Sequence, residues 1–141
     1  MRNRARVLIT GLAVLTLLLA AMGCRASGTT LEGTSWQLVA WTVSSMDPTD
    51  YTITASFADG RISGTSAVNS YSGPFTLGPG DAFATGDLVT TLMAGPEPAM
   101  RAEQAYLELL RQARAFSLAG TTLTLYDEGG NQSLIFEAVT N

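Results

Sequence analysis

Between Thr34 and Ala138 the chain is cut at short intervals by Asp59-Gly60, Gly78-Pro79-Gly80-Asp81, Ala119-Gly120 and Asp127–Asn131. Gly, Pro and Asp supply the backbone angles that tight turns need. Most of the intervening stretches are therefore too short for a stable helix and read as strands. Thr34–Trp41 is rich in aromatic and aliphatic residues, and Tyr51–Phe57 places Tyr51, Ile53, Ala55 and Phe57 at every second position. That period of two marks a strand with one buried face. Asp59-Gly60 joins it to Arg61–Thr65 as a two-residue hairpin. Val68–Leu77 contains Asn69, Gly73 and Pro74, so a strand there is expected to be bulged or at an edge. Ala82–Thr90 follows the second turn, and Ala115–Leu118, Thr121–Tyr126 and Gln132–Ala138 end the chain.

One stretch escapes this punctuation. Pro98 suits the first turn of a helix, and Glu97 stands at the positive end of its dipole. Tyr106, Leu107 and Leu110 share an apolar stripe with Met100 and Ala113 nearby, while Arg101, Glu108, Arg111 and Gln112 face away. Such a stripe is first of all a packing face. Arg111 and Arg114 fall near the C-terminal end, where cations are favoured. The expected fold is α+β: a curved, mainly antiparallel β-sheet, partly open and barrel-like, packed by one α-helix.

The N-terminus has a different character. Arg2, Arg4 and Arg6 precede an uncharged run from Val7 to Met22, and small Gly23 leads to Cys24. Positive residues, an apolar core and a small residue make a secretory signal, and the run is short for a helix that spans a bilayer. Cys24 is the one cysteine of the 141-residue chain, so no intrachain disulfide awaits it. Ala21-Met22-Gly23-Cys24 resembles a lipobox, at which the signal is cut before a lipid-modified cysteine; Ala21 and Met22 depart from its usual residues. The organisation read from this is a signal peptide over 1–23, a flexible tether over 24–30 and one domain over 31–139. Lipid on Cys24 would hold the domain to the cell membrane or the outer membrane, outside the cytoplasm. Several acyl chains suffice for stable anchoring.

Beyond Cys24 five arginines face twelve acidic side chains, a net charge of −7. An acidic surface disfavours binding to nucleic acid or to anionic headgroups. There is no His and no Lys, which removes the usual general base and metal ligand and any Schiff base or serine–lysine pair. No phosphate-binding or dinucleotide fingerprint occurs. Asp81 with Asp87, or Asp127 with Glu128, could form a carboxylate pair, but acids in turns are ordinarily solvated. Asp127–Asn131 holds only a fragment of a calcium loop. The chain is expected not to be an enzyme, and to need no cofactor and no metal.

Six elements in order resemble the META domain, the family of HslJ-like lipoproteins. They are Leu31-Glu32-Gly33-Thr34-Ser35-Trp36; Gly64 with Asn69-Ser70-Tyr71-Ser72-Gly73; Thr91-Leu92-Met93-Ala94; Glu103 through Leu110; Leu118 through Leu125; and Phe136. Many members carry one Cys just before the Asn and another just after the Met-Ala, where this chain has Val68 and Gly95. If those cysteines pair in the family, this chain does without a bridge that contributes roughly 3–4 kcal/mol.

The resemblance implies a small curved or barrel-like sheet closed by a helix, on an envelope lipoprotein without established enzymatic activity. It further implies a binding or chaperone-like module linked to envelope stress, and an apolar groove beside the helix. Asn69, Tyr71 and Gly73 are the candidate binding or structural motif. The bland reading of Asn69 and Tyr71 is that they lock a bulged strand against the helix. Partners implied are the membrane through Cys24 and an envelope protein or apolar ligand, with the chain itself a monomer. The alternative is a structural envelope-maintenance lipoprotein without a small ligand, in contact through loops such as Ser44–Asp50; a carboxylate-dependent hydrolase is the remote one.

Overall fold

The structure, a computed structural model, describes residues 30–140. The export signal, Cys24 and most of the expected tether lie outside the described residues. Nine strands form: β1 (Thr34–Trp41), β2 (Thr54–Ala58), β3 (Arg61–Thr65), β4 (Ser70–Gly78), β5 (Ala82–Thr85), β6 (Val89–Thr90), β7 (Ala115–Ala119), β8 (Thr122–Tyr126) and β9 (Gln132–Ala138). One helix, α1 (Glu97–Gln112), stands between β6 and β7, and a single 3-10 turn covers Pro48–Asp50.

The pairings run β3-β2-β1-β9-β8-β7-β5-β4, all antiparallel, and β4 pairs back onto β3. The sheet thus curls into a closed barrel of eight strands, with β6 added beside β4. Closure removes the exposed edges that an open sheet must protect. One join is thin. β5 and β7 share the single register pair Ala82↔Ala115, held by Phe83 N–H to the Arg114 carbonyl and Phe116 N–H to the Asp81 carbonyl.

Local chemistry explains the elements. Asp59 and Gly60 have φ of +53° and +70°, the angles of the hairpin turn whose twist matches that of its strands. Glu32 reaches the Asp59 and Gly60 N–H groups from the start of the domain. The segment expected as Tyr51–Phe57 begins later, at Thr54, with only an isolated bridge from Ile53 to Ser66 before it.

β4 is interior rather than at an edge. Its first half pairs with β3 on one side and β6 on the other, and its second half pairs with β5. Pro74 is tolerated there because its carbonyl accepts from Gly86 N–H, in the interruption between β5 and β6. The missing Pro N–H falls on that same side, where no ladder bond is required. The expected Ala82–Thr90 strand is split at that interruption.

α1 buries Ala102, Glu103, Tyr106, Leu107 and Leu110. The Arg114 guanidinium donates 2.8 Å bonds to the Arg111 and Ala113 carbonyls, satisfying acceptors that the helix end leaves open. The barrel interior is filled by side chains. Phe57, Phe75 and Phe83 cluster with centroids 5.0 to 6.5 Å apart, and Tyr106 of α1 packs edge-on against Phe136 of β9 at 6.4 Å.

Candidate functional site: a buried polar lock and the apolar lip it holds

Glu103 lies on the buried face of α1, and it is only 8% exposed. Opposite it runs the β3–β4 turn, Ser66 to Asn69, in which Ala67 adopts a φ of +85°. That left-handed residue lets successive backbone N–H groups converge into a nest for an anion. The Asn69 N–H donates to Glu103 Oε2 at 2.7 Å, the Val68 N–H at 3.4 Å and Ser66 Oγ at 2.8 Å. Asn69 Nδ2 donates to Oε1 at 2.8 Å. Burial by itself pushes the Glu103 pKa up, but these four bonds, those from Asn69 foremost, together outweigh it. They hold the carboxyl below the usual range, as donors to the charged form do.

Asn69 extends the connection. Its Oδ1 accepts from Met93 N–H at 2.7 Å and Thr91 Oγ1 at 2.8 Å, and its Nδ2 also donates to the Met93 carbonyl at 3.1 Å. Both donors and both acceptor positions of the amide are occupied. One buried side chain therefore ties the β3–β4 turn, α1 and the 91–93 segment together. This is the geometry of a lock.

Tyr71 and Gly73 serve the same region from β4. The Tyr71 hydroxyl donates to the Thr54 carbonyl at 2.8 Å and lies 2.6 Å from the Tyr106 hydroxyl. Burial pushes both phenol pKa values up, so both remain neutral donors in ordinary conditions. A Cβ at Gly73 would stand 2.6 Å from the Asp87 carbonyl oxygen, so a larger residue would force the 86–88 link away. Asn69 and Tyr71 are buried and neither offers a polar group to solvent.

What the lock presents outward is apolar. Leu92 is 95% exposed and Met93 61%, although Asn69 pins the backbone at Met93 from both N–H and carbonyl. Val89 on β6 is exposed as well. This lip opens past Met100 into a shallow groove along the outer face of α1. The groove thus lies outside the barrel, and charged and polar side chains of α1 make up most of its lining.

Of the acids weighed as carboxylate pairs, Asp81 and Asp87 sit in separate segments, whereas Asp127 and Glu128 are neighbours in one turn. Asp81 ends the β4–β5 turn, Asp87 stands in the β5–β6 link, and Asp127 and Glu128 begin the β8–β9 turn. The cleft that takes in Asp127 and Glu128 includes neither Asp81 nor Asp87. Asp127 accepts from the Asn131 N–H at 2.9 Å, which holds its pKa low and closes the turn on itself. Among the described residues no three acidic or cysteine side chains gather as a metal set, and no helix is long and apolar enough to cross a membrane.

Sequence reasoning placed Glu103 in a motif without giving it a role, and passed over Ser66. The signal was available: Glu103 precedes Tyr106 by three and Leu110 by seven, so a charge sits on the apolar stripe. Val68 and Gly95 also meet. A Cβ built at Gly95 lies 3.5 Å from Val68 Cβ, within the range spanned by a disulfide.

With this geometry in view, the chain can be set beside known proteins. The profile of the META domain matches residues 29–140. The chain belongs to the META domain family. The chain is similar in fold to a protein from Burkholderia xenovorans solved by NMR. It is 27% identical with a TM-score of 0.65, over 79% of this chain and 85% of that one. A crystal structure of a DUF4847 family protein from Bacteroides vulgatus is 15% identical with a TM-score of 0.59, over 76% of this chain and 93% of that one; this likeness concerns the fold alone. No curated protein matches this META chain.

Proposed function

We propose that the chain is a non-catalytic envelope lipoprotein whose META domain, tethered by lipid on Cys24, binds an apolar segment of another envelope protein at the Leu92–Met93 lip. A chaperone-like role in envelope stress follows from that activity. The observation that carries the reading is a 95%-exposed leucine on a backbone held by a fully bonded, buried Asn69. Exposed apolar groups grouped at one place mark contact surfaces more often than solvent faces. Methionine adapts to varied apolar partners, and a lip ordered in advance loses little entropy on binding. The absence of His and Lys, the separation of Asp81 from Asp87 and the closing of Asp127 onto its own turn support a role without chemistry.

A photo-crosslinking residue at position 92 of the full chain, in its own cells, tests the binding surface. The expected result is one predominant envelope protein, crosslinked through an apolar stretch, and at least tenfold less of it when Met93→Ser and Val89→Ser are added. Equal labelling of many proteins, unaffected by those substitutions, overturns the reading. The tether is tested by Cys24→Ser, which should abolish palmitate incorporation and release the domain from the membrane fraction.

A further inference from the structure

The outward face of α1 has a pattern that neither the lock nor the lip uses. At 100° per residue, Gln104 lies on its midline. Met100 flanks it on one side, beside the largely buried Leu107, and Arg101 and Glu108 on the other. Glu97 and Arg111 lie close to the midline near the two ends. Met100, Gln104, Leu107 and Arg111 line the shallow groove there. Among the described residues this face makes one ion pair, Arg101 to Glu97 at 2.8 Å, with both side chains more than half exposed. Glu108 bonds only to Gln112, at 2.6 Å. Exposed pairs of this kind contribute little to stability.

We propose that this face docks a second copy of the chain, the two α1 helices packing antiparallel about a two-fold axis through Gln104. Such an axis reverses the helix direction and keeps each side of the midline, so a residue ahead of Gln104 on one helix meets a residue at about the same distance beyond it, on the same side, on the other. Met100 then meets Leu107 of the second copy, Arg101 meets Glu108, and Glu97 meets Arg111. The charges carry the pairing: each faces its opposite, and every contact occurs twice, as an isologous interface requires. The competing arrangements are penalised. Parallel helices set Glu97 against Glu97, a slip of one turn one way sets Glu97 against Glu108, and a slip the other way sets Arg101 against Arg111. Charge pairing of this sort specifies partner and register in helix pairs.

The expectation from the sequence was a monomer. The order of those charges is what points to a partner. An interface of one helix per copy falls below the roughly 1,200 Å² of standard complexes, so association is weak in dilute solution and is favoured where copies are concentrated. The dimer seam meets the lip only at Met100 and uses neither Leu92 nor Met93, so either surface can fail without the other.

The test uses the full chain in its own envelope. Gln104→Cys places one thiol beside its own copy across the axis, and mild oxidation should give a dimer several-fold stronger than Thr76→Cys on exposed β4. The unsubstituted chain reports any dimer formed through Cys24. Adding R101E to Gln104→Cys should cut the dimer several-fold by opposing two acids, and adding E108R should do so by opposing two arginines. Co-expressing the R101E and E108R chains restores both pairings and should restore the mixed dimer. A Gln104→Cys dimer no stronger than that of Thr76→Cys, or no recovery in the mixed pair, overturns the proposal. These positions are exposed and leave the core untouched, so loss of folding does not confuse the outcome.

Discussion

Glu103 shows how a residue can be buried, charged and free of any cationic partner. Four donors reach its carboxylate from one turn, and hydrogen bonds to a charged group are worth about 1.5–3 kcal/mol each where they are well made. Glu103→Gln keeps the shape but turns an amide donor against donors, and should cost roughly 2–3 kcal/mol in chemical denaturation with an unchanged slope. The pH dependence has a definite sign. The folded pKa lies below the unfolded value, so the stabilisation is complete above the ordinary carboxylate range. It is lost as pH falls from that range through the lower folded pKa. Denaturation midpoints of wild type and Glu103→Gln should accordingly differ at neutral pH and converge in acid. A gap that persists unchanged in acid would show that the lock works without the charge. The same residue scale explains Gly64, whose absent Cβ leaves room for the Thr54 carbonyl oxygen that Tyr71 also bonds.

Among elements, β4 and the 86–95 segment decide the shape of the site. Asn69, Gly73 and Pro74 were legible as signs of irregular strand, and each has an identifiable purpose. Asn69 bonds the 91–93 backbone, Gly73 admits the 86–88 link, and Pro74 faces the interruption between β5 and β6. The bulge or edge position inferred from them is not what forms, because β4 pairs in regular register on both sides and periodicity along a strand carries no information about how many neighbours the strand has. The Val68–Gly95 contact belongs to this scale too. In a chain with Cys24 replaced by Ser, Val68→Cys with Gly95→Cys should oxidise readily. The closed loop of 28 residues should add about 3 kcal/mol relative to the reduced form. Equal stability with and without reductant would show that the lock already confers all the rigidity a bridge can add.

The whole molecule is a closed barrel with one thin seam. β5 and β7 touch at a single register pair, whereas β8 and β9 pair along most of their lengths. Opening there exposes fewer ladder bonds than opening anywhere else between neighbouring strands of the barrel, and proteins open first where such bonds are few. Native-state hydrogen exchange should therefore find the Phe83 and Phe116 amides exchanging through a lower-energy opening than the amides of Leu123 and Phe136. Equal protection at all four would mean that the barrel opens only as one unit. The α1 face and the lip both lie outside this barrel, so partner binding at either is compatible with a core that stays closed.

Turn residues and a two-residue period marked nearly every strand, the apolar stripe beyond Pro98 marked the single helix, and six motifs in order pointed to the family to which the chain belongs. Those features are local, set by backbone angles at Gly, Asp and Pro and by which face of each element is apolar. Closure of the sheet, the interior place of β4 and the joining of Glu103 to Asn69 across 34 positions were decided only in three dimensions. They depend on which distant segments meet, and a hydrogen bond between residues far apart leaves no period in the sequence. Leu92 illustrates the boundary: its apolar character was plain, but its exposure follows from a buried amide that holds its neighbours from behind.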